Sequence, residues 1–172
     1  RLVPYKQVDA LVQAFARMPD RRLVVAGSGP KLAELRATAP GNVEMRGHVA
    51  APELLPLMQG ARAFLFAAEE DFGIAPLEAQ ACGLPVIALG RGGVAETVRD
   101  ADSAGRTGVF FTESTPDAIA AAVRRFEAGP PIDPEACRIN ALRFSRDRFR
   151  NEFRTYVDTH WTAFQSGLRT AT

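Results

Sequence analysis

Short apolar, β-rich runs alternate along this chain with stretches whose apolar residues recur every three or four positions. The runs are Leu23-Val24-Val25-Ala26, Val43-Glu44-Met45-Arg46, Ala63-Phe64-Leu65-Phe66, Pro85-Val86-Ile87-Ala88 and Gly108-Val109-Phe110-Phe111. Val8, Leu11, Val12 and Phe15 form a helical face before the first run, and Leu32 and Leu35 form one after it. Leu54, Leu55, Leu57 and Met58 follow the second, and Ile119, Ala122, Val123 and Phe126 follow the fifth. Apolar strands joined by helices through short Gly- and Pro-marked turns predict an α/β fold, a doubly wound, Rossmann-like parallel sheet covered on both faces.

The pattern changes after Gly129-Pro130-Pro131, which divides the chain into residues 1–132, the sheet domain, and 133–172, a C-terminal helical segment. Within the latter, Phe149, Phe153, Tyr156, Val157 and Trp161 form an aromatic stripe interleaved with Arg146, Arg148, Arg150 and Arg154. A basic, aromatic helix suits RNA or a membrane surface. An amphipathic helix docked on a neighbouring surface, with its arginines on the wet side, is the simpler reading and the one preferred.

In an open parallel sheet, ligands bind beyond the carboxyl ends of the strands. The turns there are Gly27-Ser28-Gly29-Pro30, Gly47-His48-Val49, Glu69 through Pro76, and Gly90-Arg91-Gly92-Gly93. Gathered on one edge, they describe a crevice whose backbone can approach a ligand closely. The first matches the dinucleotide fingerprint only through Gly27 and Gly29, because Leu32 replaces its third glycine, which disfavours a nicotinamide-dependent dehydrogenase. In the third, Pro76 reads as a helix start and Gly83-Leu84-Pro85 as its stop, giving a short helix from Pro76 to Cys82.

The amides and dipole at that helix start make an anion site, preceded by the Phe72-Gly73-Ile74 backbone. Glu78 reads either as a first-turn stabilising carboxylate or as an acceptor for a vicinal diol. Glu70, between Glu69 and Asp71, reads either as part of a solvated acidic loop or as a hydroxyl acceptor. Arg1 and Lys6 suit a diphosphate, though exposed surface cations are the ordinary fate of such residues.

Composition narrows the partners. A 47% hydrophobic, 24% charged chain of 172 residues has room for one ordinary core and does not suit a disordered tail. Its net charge of +1, from 21 basic and 20 acidic residues, argues against nucleic-acid binding driven by overall charge. Cys82 and Cys137 lack disulfide-framework or metal spacing, and Cys82 sits in an apolar run that predicts a buried reduced thiol. No apolar stretch reaches the roughly 18 residues of a membrane span, and no metal or cofactor site is expected. A start at Arg1, without methionine, is expected of a piece of a longer polypeptide.

Several of these segments together resemble glycosyltransferase family 4. They are Arg1-Leu2-Val3-Pro4-Tyr5-Lys6, Val24-Val25-Ala26-Gly27-Ser28-Gly29-Pro30, the run from Glu70 through Phe72-Gly73-Ile74, Pro76, Glu78-Ala79 and Gly83 to Pro85-Val86-Ile87-Ala88, and Gly92-Gly93 with Glu96. The Glu70-Asp71-Phe72-Gly73 form is most similar to the mannosyltransferase branch, although most relatives carry glycine at the position of Asp71. The resemblance implies the C-terminal, donor-binding half of a retaining, metal-independent GT-B enzyme, ending in a helix that packs toward an acceptor-binding N-terminal domain absent from these residues. It implies that Arg1 and Lys6 hold the donor diphosphate and that, with Glu70 on the hexose hydroxyls, they form the catalytic set. Glu78 would hold the ribose diol, and the amides of Phe72, Gly73 and Ile74 would face sugar and phosphate. Gly47, His48 and Val49 would lie along the base, and Gly27 and Gly29 would leave room for the nucleotide. GDP-mannose is the first donor expected and a UDP-sugar the second, with a glycan or lipid-linked acceptor. The expected location is cytoplasmic, free or peripheral at the inner membrane face. The alternatives are a GT-B-type nucleotide-sugar epimerase and a non-catalytic nucleotide-binding module; a phosphorylase is disfavoured because neither Lys6 nor Lys31 suits pyridoxal phosphate. The chain by itself is expected to bind donor without transferring it.

Overall fold

The computed structural model describes residues 1–100 and 105–169; the last residues of the C-terminal segment, 170–172, lie outside it. Among the described residues, five parallel strands form where the apolar runs predict them: β1 (Leu23–Ala26), β2 (Val43–Gly47), β3 (Phe64–Phe66), β4 (Val86–Leu89) and β5 (Gly108–Phe111). They pair in two hydrogen-bonded pieces, β1-β2 and β3-β4-β5. One side-chain core joins the pieces, since Leu23, Val25 and Val43 belong to the same buried cluster as Ile87, Leu89 and Val109.

Every residue of β4 is buried, and its two-residue period divides them between two cores. Ile87 and Leu89 face α1 (Val8–Ala16) and α6 (Pro116–Ala128), which pack together. Val86 and Ala88 face the opposite cluster, with Ala79 of α4 (Ile74–Ala81) and Val94 of α5 (Val94–Thr97). Strands apolar on both sides and helices on both faces confirm the doubly wound α/β class. The remaining helices are α2 (Leu32–Thr38), α3 (Ala51–Gln59), α7 (Pro134–Leu142) and α8 (Arg146–Arg169).

Three expectations need correction. The apolar face expected of α3 is not a core face: none of its residues is buried, and Leu55 is 50% exposed. Leu54, Leu57 and Met58 instead line a cavity of about 750 Å³ that also reaches Val25, Phe64 and Leu65. Second, α7, which the sequence grouped with the segment after residue 132, packs on α4 and buries Cys137 and Asn140. Third, Cys82 is only half-buried and Cys137 is the sequestered thiol.

Candidate functional site: the carboxyl edge of the sheet

The glycine turns meet at one edge, tied by backbone contacts. Gly27 N–H donates to the Gly47 carbonyl at 2.6 Å, joining the first two turns. Gly93 N–H donates to the Glu70 carbonyl at 2.8 Å, joining the third and fourth. A Cβ on Gly93 would stand 2.3 Å from the Asp71 carbonyl oxygen and 2.4 Å from the Phe72 Cα, so only glycine allows this approach.

The N-terminal segment lies across the first turn. Leu2 N–H donates to Ser28 O at 2.8 Å, and Leu2 O accepts from Lys31 N–H at 3.2 Å. A Cβ on Gly29 would meet the Leu2 carbonyl oxygen at 2.4 Å, so the space that this glycine leaves is taken by the chain's own backbone. The Leu2 side chain likewise lies 3.6 Å from a Cβ built on Gly27.

This path carries Lys6, at the end of a 3-10 turn over Pro4–Lys6, to Glu70 beyond β3. The Lys6 ammonium donates to Glu70 Oε1, with only 22% and 21% of the two side chains exposed. The Tyr5 and Phe66 rings lie 5.4 and 5.5 Å from Lys6 Nζ. Burial draws the Lys6 ammonium below the ordinary lysine range, and the touching carboxylate opposes that shift by favouring the charged form.

Helix α4 begins earlier than expected. Gly73, at φ 78°, caps it, and Ile74 rather than Pro76 is its first residue. Its start has no side-chain cap, so the Ile74 and Ala75 amides of the first turn lack a side-chain acceptor, as at an anion-binding helix start. Glu78 therefore lies beyond the first turn, which contains no acidic residue, and the capping explanation for it fails. It is exposed and shares the lining of the 750 Å³ cavity with Arg1 and Lys6. Leu84 N–H to Ala79 O (3.0 Å) and Gly83 N–H to Gln80 O (2.8 Å) close the helix in a Schellman motif.

Of the residues singled out in the sequence, the fold brings Lys6 to Glu70, and Arg1 and Glu78 to the same cavity. Phe72, Gly73 and Ile74 sit at the start of α4, and His48 is exposed on the second turn beside half-buried Val49. Two features escaped sequence reasoning. One is a buried polar network in which Asn140 Nδ2 donates to Gln80 Oε1 and to Thr97 O, both at 2.7 Å. Gln80 Nε2 in turn donates to Thr97 O at 3.0 Å. The other is Phe144, whose ring meets that of Phe72 edge-on at 5.8 Å. Polar residues in apolar helical faces are the only signal that could have marked the network.

The family model for glycosyl transferases group 1 matches residues 1–144, and the chain belongs to that family. Over 148 residues it is 36% identical to a GDP-mannose-dependent alpha-(1-6)-phosphatidylinositol monomannoside mannosyltransferase of Mycolicibacterium smegmatis, covering 76% of this chain and 37% of the relative. Over 159 residues it is 35% identical to a D-inositol 3-phosphate glycosyltransferase of Mycolicibacterium gilvum, covering 84% of this chain and 35% of the relative. The chain thus spans little more than a third of the length of these relatives. Anabaena HepE, solved with UDP and glucose, superposes with a TM-score of 0.73 at 21% identity, over 92% of this chain and 46% of that one. This last likeness concerns the fold alone.

Proposed function

We propose that these residues form the donor-binding half of a retaining hexosyltransferase that takes mannose from GDP-mannose and passes it to a glycan or lipid-linked acceptor. The observation that carries this reading is the Lys6–Glu70 contact beside the open start of α4. A cation for the diphosphate and a carboxylate for sugar hydroxyls stand there within one bond of each other.

In this reading, Arg1, Lys6 and the α4 amides offset the charge that grows on the departing diphosphate, the work otherwise given to a metal ion. Glu70 accepts from the hexose hydroxyls, Glu78 from the ribose diol, and Gly47, His48 and Val49 border the base. Gly27 and Gly29 act through Leu2, whose docking on them delivers Lys6. GDP-mannose is preferred over UDP-sugars because relatives 36% and 38% identical are named for it, whereas the structures solved with UDP or UDP-glucose are 20–24% identical. The acceptor-binding half, toward which the α8 stripe would pack, is proposed to lie outside these residues, so that the chain binds donor and transfers nothing alone. The phosphatidylinositol mannoside in the names of two relatives supports work at a membrane surface, proposed here to be the cytoplasmic face.

Amide chemical shifts of the 15N-labelled chain, followed during GDP-mannose addition, test the site. Saturable shifts should concentrate at Phe72, Gly73, Ile74 and residues 27–29. Shifts confined to other surfaces would overturn the assignment.

A further inference from the structure

The loop from Glu70 to Gly73 is braced from two sides. Beneath it, Gly92 and Gly93 admit its backbone: a Cβ on Gly92 would lie 2.5 Å from the Glu70 carbonyl oxygen. Beside it, the only ring partner described for Phe72 is Phe144, at 5.8 Å and 69°. Phe72 is 46% exposed, so the protein body does not otherwise enclose it.

Phe144 itself is firmly held. Its N–H donates to Ala141 O at 3.0 Å, and the Arg143 guanidinium lies 5.3 Å from its ring centre. Arg143 also donates to Asn140 Oδ1 at 2.9 Å. Asn140, only 2% exposed, is fixed in turn by Gln80 of α4 and by the Thr97 carbonyl. An unbroken chain of contacts thus runs from the buried end of α7 to the Phe72 side chain of the donor loop.

We infer that Phe144 is a positioning residue for the sugar-facing loop. It fixes the Phe72 ring, and through it the Phe72 and Gly73 amides on the sugar side of the loop, ahead of the α4 amides given to the diphosphate, without touching the donor. The inference rests on the donor-site reading above. An edge-on aromatic pair is worth about 0.5–1.5 kcal/mol, so losing it weakens binding by about 2- to 10-fold. That loss falls on a ligand whose hexose reaches the loop and spares one held by its diphosphate at Lys6.

The test is calorimetric titration of the chain and of Phe144→Leu, which keeps apolar volume but lacks a ring edge, with GDP-mannose and with GDP. Phe144→Leu should bind GDP-mannose about 2- to 10-fold more weakly and GDP as the unsubstituted chain does. Phe144→Tyr should restore GDP-mannose binding, and Phe72→Leu with Phe144→Leu should be no worse than Phe72→Leu alone. Equal losses for both ligands, or none for GDP-mannose, would overturn the inference while leaving the donor site standing. Failure of the unsubstituted chain to bind either ligand would instead remove the reading on which the inference rests. If Phe144→Leu melts well below the unsubstituted chain, the comparison passes to Phe144→Tyr and Phe144→Met, with the same ligand split deciding.

Discussion

Lys6 and Glu70 neutralise one another, so the diphosphate of the proposed donor would compete with the Glu70 carboxylate for the Lys6 ammonium. Replacing Lys6 by Ala removes a charge-assisted contact worth about 1.5–3 kcal/mol, and GDP affinity should fall about 10- to 100-fold. Glu70→Gln should act oppositely on the two ligands: GDP binds at least as tightly because Lys6 is released, while GDP-mannose binds more weakly. Parallel losses for GDP and GDP-mannose in Glu70→Gln titrations would contradict this division of labour. The thiols give a separate expectation. Burial, reinforced by Asp133, pushes Cys137 up to about 11, and its side chain is fully enclosed. At pH 8 a maleimide should label Cys82 alone, and Cys137 only after denaturation, as counted by mass spectrometry. Because the folded-state value is raised, Cys137 contributes stability below its unfolded value near 8.5–9, and this is lost as the pH rises toward 11. Lys6 and Glu70 are 64 residues apart, so their contact was not legible in the sequence; only their chemical suitability was.

At the scale of elements, strands were readable to within about one residue because all but β2, which carries Glu44 and Arg46, are dense apolar runs, and β4 is buried on both sides. The stop of α4 was readable too, through Gly83. Its start was not: the positive φ of Gly73 sets the first turn two residues before Pro76, and no residue type announces that. The apolar residues of α3 carried a helical period but no information about what would cover them. Gly83 adopts φ +81°, and a Cβ there would meet Pro134 Cβ at 3.1 Å. Gly83→Ala should therefore cost about 1–2 kcal/mol, measured by urea denaturation; an unchanged midpoint would contradict the Schellman cap. Asn140→Ala would strand Gln80 Oε1 without its donor and leave the Thr97 carbonyl with that of Gln80 Nε2 alone. A loss of about 1–3 kcal/mol is expected in the same measurement.

At the scale of the molecule, one body and one projecting helix have different stabilities. From Arg146 to Gly167 every side chain of α8 is exposed, with Phe149, Phe153, Tyr156 and Trp161 each more than half so. Buried apolar area, not helix propensity, holds helices in proteins, so α8 should open first. Brief trypsin treatment should cut at Arg150 or Arg154 and leave the rest of the body intact, melting close to the uncut chain. Resistance of α8 equal to that of α1 would contradict this. The sequence marked the stripe as amphipathic, a pattern that an uncovered helix and a docked one share, and among the described residues its side chains are exposed. Among the described residues, no helix is long and apolar enough to cross a membrane.

The central claim is that the carboxyl edge of this sheet is a nucleotide-sugar site, and calorimetric titration with GDP-mannose, UDP-glucose and UDP-N-acetylglucosamine tests it most directly. Saturable binding of one GDP-mannose per chain, tighter than either UDP-sugar, is expected. Preference for a UDP-sugar would overturn the choice of donor, and heat changes no larger than dilution for all three would contradict the account itself.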